Sequence, residues 1–129
     1  MTDSPWTLRG KRALVTGGSR GIGRAIAEEL VALGAHVTIV SRTQASDDGL
    51  GVDTILADVT TAEGRARIVA EVATPLHVLV HNAGSNVRSP LVGYDDATIE
   101  KLLALNLTAP MLLSRDLHPR LAAAGGASV

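Results

Sequence analysis

The chain has 129 residues, which suits one domain with a buried core, and its lack of cysteine excludes disulfides, thiolate metal sites and a cysteine nucleophile. The formal net charge of -1, without a run of Lys or Arg, argues against a nucleic-acid partner. No apolar run is long enough for a membrane span and the N-terminus has no signal-peptide pattern, so we expect a cytoplasmic protein without a membrane partner. Phe is absent, so the core must consist of Ala, Val, Ile and Leu.

The first half of the chain alternates predicted strands and helices. Residues 12–16 form a short apolar run that ends at glycines, which is typical of a buried strand. Residues 36–41 are rich in β-branched side chains and predict a second strand, and residues 43–51 predict a loop. Between the two strands Gly34 ends an amphipathic helix, whose apolar positions recur at helical spacing: Ile22, Ala25, Ile26, Leu30 and Leu33.

A third strand and a second helix follow. Residues 52–57 predict the strand. Thr60 and Glu63 have the spacing of a capping box, in which Thr60 would satisfy a free N–H group at the start of the helix. The helix that it opens has its apolar positions at Ile68, Val69 and Val72.

The last part of the chain completes the pattern. Residues 76–80 predict a fourth strand, residues 82–95 an irregular stretch, and residues from about 96 to about 124 a long helix ended by Gly125-Gly126. The final residues are typical of the opening of a fifth strand. The alternation predicts an α/β fold, a Rossmann-type doubly wound parallel sheet, truncated after strands one to four and the start of strand five.

A glycine-rich turn, TGGSRGIG, connects the first strand to the first helix and extends from Thr16 to Gly23. Glycine permits the sharp turn and the close backbone approach, and the N–H groups at the start of the helix can then face a pyrophosphate. A purely structural turn would also explain a glycine cluster. The position between a buried strand and an amphipathic helix favours a dinucleotide site.

Four motifs in this order resemble the short-chain dehydrogenase/reductase family: Thr16-Gly17-x-x-x-Gly21-x-Gly23, Asp58-Val59, Asn82-Ala83-Gly84 and Asn106. The resemblance covers residues 6 to 129, and residues 6 to 30 also resemble tropinone-reductase-like members. It implies that Asp58-Val59 contact the adenine, that Asn82-Ala83-Gly84 steady the sheet and the ribose, and that Asn106 belongs to a catalytic tetrad. The cofactor-binding residues expected from the resemblance and the motifs are Thr16, Gly17, Ser19, Arg20, Gly21, Ile22, Gly23, Ser41, Arg42, Asp58, Val59, Asn82, Ala83 and Gly84.

The cofactor choice depends on the end of the second strand. Rossmann domains that prefer NAD have a carboxylate there, whereas this chain has Ser41-Arg42. The guanidinium of Arg42, helped by Arg20, can pair with the 2′-phosphate of NADP, so we expect NADP (NADPH) as the cofactor. Two solvated surface arginines are the alternative.

The long helix has apolar residues on more than one face, which predicts that it is covered on two sides. One side should face the sheet, and the other a second subunit in a homo-oligomer, as the resemblance also implies. Pro110 removes the N–H partner of the Asn106 carbonyl, so we expect a kink there and a carbonyl free to bind water. A helix that bends only to fit the sheet is the alternative. The apolar positions are Ile99, Leu102, Leu103, Leu105, Leu107, Met111, Leu112, Leu113, Leu117 and Leu121.

The family's chemistry needs a serine, a tyrosine and a lysine four residues after that tyrosine. The single tyrosine, Tyr94, is followed four residues later by Thr98, and it precedes the long helix instead of following it. We therefore expect residues 1–129 to be the NAD(P)-binding Rossmann domain, incomplete at its C-terminus and inactive alone. The complete enzyme would be an NADP-dependent oxidoreductase for a small-molecule carbonyl or alcohol substrate. A non-catalytic dinucleotide-binding or sensor module is the alternative.

The remaining polar residues are given structural roles. The spacing of the histidines predicts no metal cluster. His81 stands where many members of the family have another asparagine, and we expect it to replace that residue's local hydrogen bonds. Asp47-Asp48 and Asp95-Asp96 are expected to serve in turns and helix caps.

Overall fold

The computed structural model describes residues 5–44 and 49–129, and its centre is a parallel sheet of four strands. The strands are β1 (Arg12–Thr16), β2 (His36–Ser41), β3 (Asp53–Leu56) and β4 (Val78–Val80). Their order in the sheet is β3-β2-β1-β4. The chain adds β2 and β3 on one side of β1 and then returns to place β4 on the other side of β1. This arrangement confirms the doubly wound fold predicted from the sequence.

Two apolar layers cover the sheet. Helix α1 (Gly21–Ala32) packs on one face, where Ala27 contacts a cluster with Ala13 and Val15. Helices α2 (Ala62–Glu71) and α4 (Ala109–Ala122) pack on the other face around Leu14. Because both faces are covered, successive residues of β1 are buried on opposite sides, and this explains its continuous apolar run.

The start of α2 differs from the prediction by one residue. Thr61, and not Thr60, is the N-cap, and its Oγ1 accepts a hydrogen bond from the Gly64 N–H at 2.9 Å. Thr60 instead donates to Asp58 Oδ1 at 2.6 Å, since that carboxylate offers a closer acceptor. Glu63 lies in the first turn, and the predicted capping box is therefore wrong. A second difference is that Ile22, predicted on the apolar face of α1, is 76% exposed.

The predicted long helix has three parts: α3 (Asp96–Leu103), a π-helical turn (Ala104–Thr108) and α4. In the widened turn the Ala109 N–H donates to the carbonyl of Ala104, five residues back. The sequence predicted a kink between Asn106 and Pro110, and the structure has a π turn over Ala104–Thr108 at this place. The helix ends as expected, with Gly125 at a φ of 73°.

The last residues pair with the exposed side of β4. Ser128 donates to the His77 carbonyl at 2.9 Å and accepts from the Leu79 N–H at 2.9 Å, which forms a parallel bridge opposite Val78. This bridge is the predicted start of a fifth strand. Because all four strands are parallel, their carboxyl ends lie at one edge of the sheet.

Candidate dinucleotide-binding site

The turn between β1 and α1 is shaped by glycines that a side chain would disrupt. Gly17 has a φ of 67°, in the left-handed region that favours glycine. A Cβ atom on Gly23 would lie 2.3 Å from the Asn82 Nδ2 atom and 2.3 Å from the Gly17 carbonyl oxygen. The start of α1 therefore packs against the backbone of its own turn and against the segment after β4.

The N-terminus of α1 differs from those of α2 and α3. Thr61 caps α2, and Asp95 caps α3 by accepting from the Thr98 N–H at 2.8 Å, which confirms the capping role expected for Asp95. Arg20, the N-cap of α1, makes no side-chain capping bond. The first N–H groups of α1 are therefore not taken by a cap side chain, and this suits a helix end that receives an anionic group.

Thr16 joins the glycine turn to the segment after β4. Its Oγ1 accepts from the Asn82 and Ala83 N–H groups, each at 3.1 Å, and donates to the Val80 carbonyl at 3.4 Å. In return, Asn82 Nδ2 donates to the Gly17 carbonyl at 2.9 Å. Two motifs that lie about half the chain apart in sequence are therefore in direct contact.

Asn106 holds the next part of that segment. Its Nδ2 donates to the carbonyls of Ser85 at 2.8 Å and Leu102 at 2.9 Å, and its Oδ1 accepts from the Ser85 N–H at 3.2 Å. Gly84 lies beneath this contact, since a Cβ there would be 2.9 Å from Asn106 Oδ1. Ser85 was missing from the predicted site because its backbone, and not its side chain, makes the contact.

The ends of β2 and β3 carry the charged part of the site. Ser41 is buried, and its Oγ donates to the Thr43 carbonyl at 2.6 Å, so its hydroxyl shapes the turn that presents Arg42. Arg42 is exposed, and within the described ranges its guanidinium has no hydrogen bond or ion pair. Hydrogen bonds from the side chain and backbone of Thr60 lower the pKa of Asp58, and the positive charge of Arg42 lowers it further. Arg42 and Asp58 therefore lie close enough for their charges to interact, at the same end of the sheet.

Other polar residues have structural partners. The Tyr94 hydroxyl donates to the Val87 carbonyl, which fixes the loop before α3. His77 Nδ1 accepts from the Arg12 N–H at 3.0 Å, and His36 Nε2 lies 2.7 Å from Asp53 Oδ2. Asp47-Asp48 lie outside the described residues. Within residues 5–44 and 49–129, no group of three or more His, Asp or Glu could hold a metal ion, and no helix is long and apolar enough to cross a membrane.

The glycine turn, Arg42, Asp58-Val59 and Asn82-Ala83-Gly84 lie at or just after the carboxyl ends of the four strands, beside the point where the strand order reverses. This is the crevice where doubly wound folds bind ligands. The family model for the short-chain dehydrogenases matches residues 11–129. The chain belongs to this family. The chain is similar in fold and sequence to proteins from plants and bacteria.

Three similar proteins illustrate the relationship. A tropinone reductase homologue of Arabidopsis thaliana is 38% identical over 141 residues, a match that covers 99% of this chain and 53% of the relative. A Beutenbergia cavernae protein assigned as an NAD(P)-dependent gluconate 5-dehydrogenase, with NADP bound at low occupancy, gives a TM-score of 0.86 at 34% identity and covers 96% of this chain and 54% of that protein. A 3-oxoacyl-(acyl-carrier-protein) reductase of Agrobacterium tumefaciens with NADP bound gives a TM-score of 0.84 at 30% identity, covering 95% and 52%. The chain spans about half the length of the relatives that it matches.

Proposed function

We propose that this crevice binds NADP(H) in preference to NAD(H), and that the protein is an oxidoreductase for a small-molecule ketone or alcohol. The observation that carries the proposal is Arg42, an exposed cation at the end of β2 that has no ion pair with any residue of 5–44 or 49–129, at the place where an NAD-preferring domain has a carboxylate. The NADP-bound relatives support the same cofactor class.

Each part of the crevice fits one part of the dinucleotide. The uncapped N-terminus of α1, with Ser19 and Ile22 beside it, receives the pyrophosphate, and the absence of a side chain at Gly17, Gly21 and Gly23 lets the backbone approach it. Arg42 and Arg20 bind the 2′-phosphate. Asp58 and Val59 flank the adenine, and Asn82, Ala83 and Gly84 border the ribose on the nicotinamide side. When bound, the nicotinamide gives or accepts the hydride.

Asn106 is the catalytic residue that this chain contributes. Its side chain is occupied by Ser85 and Leu102, and its backbone carbonyl lies in the π turn ahead of Pro110, a residue without an N–H group. We assign to that carbonyl the binding of a water molecule that moves protons to the substrate. Since Tyr94 is held by Val87 and no lysine follows it at four residues, we expect no turnover from residues 1–129 alone, with NADPH oxidation at background for a panel of ketones.

The exposed face of the long helix supports a homo-oligomer. Ile99, Leu103, Leu107 and Met111 recur every four residues and are 43% to 65% exposed. An apolar stripe of this kind is stabilised when a second copy covers it. We place this assembly, with its small-molecule substrate, in the cytoplasm.

Isothermal titration of the purified protein with NADPH and NADH tests the cofactor preference. Charged hydrogen bonds contribute about 1.5–3 kcal/mol, so Arg42→Ser should weaken NADPH binding by about ten- to hundredfold and leave NADH binding almost unchanged. Arg67→Ser is the matched control, because Arg67 is an exposed arginine on α2 that pairs with Glu71 at 3.2 Å. Equal affinity of the unaltered protein for both cofactors would overturn the proposal.

A further inference from the structure

A histidine follows β4 at the floor of the crevice. His81 is half-buried, and its Nε2 atom lies 2.7 Å from the Ser114 Oγ atom on α4. This hydrogen bond joins elements that are 33 positions apart in the chain. It connects the segment that carries Asn82 to the helix that follows the π turn.

The surroundings of the His81 ring are almost entirely apolar. It lines a small cavity together with Thr16, Val59, Leu105, Ala109, Pro110 and Leu113, and among the residues that the structure describes no charged one contributes to the wall. The charged residues next to Ser114 and Val59 in the chain have other partners. Arg115 pairs with Asp116 at 2.8 Å, and the Asp58 carboxylate accepts a hydrogen bond from Thr60. Burial accordingly lowers the pKa of His81.

The backbone of His81 leads directly into the site. Asn82 and Ala83 donate to Thr16 on β1, whereas His81 reaches Ser114 on α4, so the segment is held from both sides. A protonated ring would place a charge in the apolar cavity, with one neutral hydroxyl to accept from two N–H groups. Solvent satisfies that cation better than the cavity does. Protonation therefore favours an outward movement of the ring and the loss of the Ser114 bond.

We propose that His81 is a positioning residue of the cofactor site: the neutral ring ties Asn82-Ala83-Gly84 to α4, and protonation releases the tie and weakens cofactor binding below neutral pH. The inference rests on the proposed function, because it takes this crevice to be the NADP(H) site. His81 acts through the backbone that follows it and touches neither substrate nor cofactor.

Binding of NADP+ at about pH 8 and at about pH 5 tests the inference; the lower pH lies well below the ordinary histidine range because burial lowers the pKa of His81. His81→Gln keeps an amide nitrogen near the position of Nε2 but cannot take up a proton. The unaltered protein should lose about two- to tenfold more affinity than His81→Gln on acidification, which is the effect of one ordinary hydrogen bond. The 2′-phosphate also titrates near pH 6, and comparing variants removes that contribution because all of them bind the same ligand.

Two further variants complete the binding experiment. Ser114→Ala removes the partner without changing the ring, and it should weaken binding already at the higher pH. His118→Gln alters an exposed histidine on α4 and should keep the pH profile of the unaltered protein. An identical pH profile for the unaltered protein and His81→Gln would overturn the proposal, as would normal binding by Ser114→Ala.

Amide hydrogen exchange without cofactor separates this inference from the proposed function. Relative to His81→Gln, the unaltered protein should exchange the Asn82 and Ala83 amides faster at the lower pH. Equal exchange rates in the two proteins would overturn the proposed link between His81 and this segment, whichever cofactor the protein binds. Faster exchange in a protein that binds no dinucleotide would support the link between His81 and this segment, and it would overturn the proposed effect of that link on cofactor binding.

Discussion

Gly64 is the third residue of α2, and replacing it by alanine tests how closely this helix approaches the adenine side of the crevice. A Cβ at Gly64 would lie 1.9 Å from the Asp58 carbonyl oxygen and 2.8 Å from Thr61 Oγ1. Even close C–H···O contacts keep about 3.3–3.6 Å between carbon and oxygen, so the backbone would have to move by roughly 1.5 Å. The movement would displace the segment with Asp58 and strain the Thr61 cap.

The expected cost follows from three opposing contributions. Overpacking costs about 1–3 kcal/mol, and loss of the cap adds about 1 kcal/mol. The better helix propensity of alanine returns at most about 1 kcal/mol. Gly64→Ala should therefore lower the free energy of unfolding by about 1–3 kcal/mol, and each kcal/mol should lower the Tm by roughly 3–6 °C for a domain of this size.

Thermal unfolding followed by circular dichroism measures this effect, with Gly126→Ala as the matched control. Gly126 has nothing within 4 Å of its Cβ position and no left-handed φ, so its replacement should leave the Tm almost unchanged. Binding of NADP+ should also weaken in Gly64→Ala, because Asp58 and Val59 are displaced. Equal Tm values for the two variants would refute the packing argument.

Four other changes have expected outcomes. The pKa of His81 is lower in the folded protein than its ordinary value of 6.5, so the folded state binds fewer protons. The free energy of unfolding should therefore fall as the pH drops below about 6.5. A series of thermal melts at different pH values should show this fall in the unaltered protein and not in His81→Gln. The pKa of Asp58 is likewise lowered from its ordinary value of 3.8 in the folded protein. The ionised carboxylate should therefore stabilise the fold above about pH 3.8, and this contribution should be lost as the pH falls through the pKa of the folded state. Asp58→Asn should abolish this pH dependence. Asn106→Ala removes three hydrogen bonds to Ser85 and Leu102 and should lower the free energy of unfolding, measured with urea, by about 1–3 kcal/mol. An unchanged midpoint of the urea transition would mean that water replaces these hydrogen bonds. Met111→Glu should yield a smaller particle by light scattering, with a lower Tm because the stabilising contact between copies is lost. An unchanged particle size would show that another surface holds the copies together.

Relationships within a few residues could be predicted from the sequence. The strand of residues 12–16, the glycine turn and the stop at Gly34 depend on local burial and on backbone conformations that only glycine adopts easily. The alternation of strands and helices then predicted a parallel sheet, because crossover connections allow few other arrangements. The cap at Asp95 was found for the same reason: donor and acceptor lie three residues apart.

What only the tertiary structure decided depends on contacts between distant segments. The pairing of Thr16 with Asn82 and Ala83 spans 66 and 67 positions, and the clamp of Asn106 on Ser85 spans 21 and uses backbone atoms that every residue has. Thr60 was misjudged for a local reason: Asp58 lies only two residues before it, and this nearby acceptor competes with the capping box. No pattern in the sequence singles out Gly64, and only the position of the Asp58 carbonyl shows why a side chain has no room there. The sequence by itself determined which backbone conformations each segment could adopt, and packing decided which polar atoms meet, since a hydrogen bond depends on positions in space that residue types do not encode.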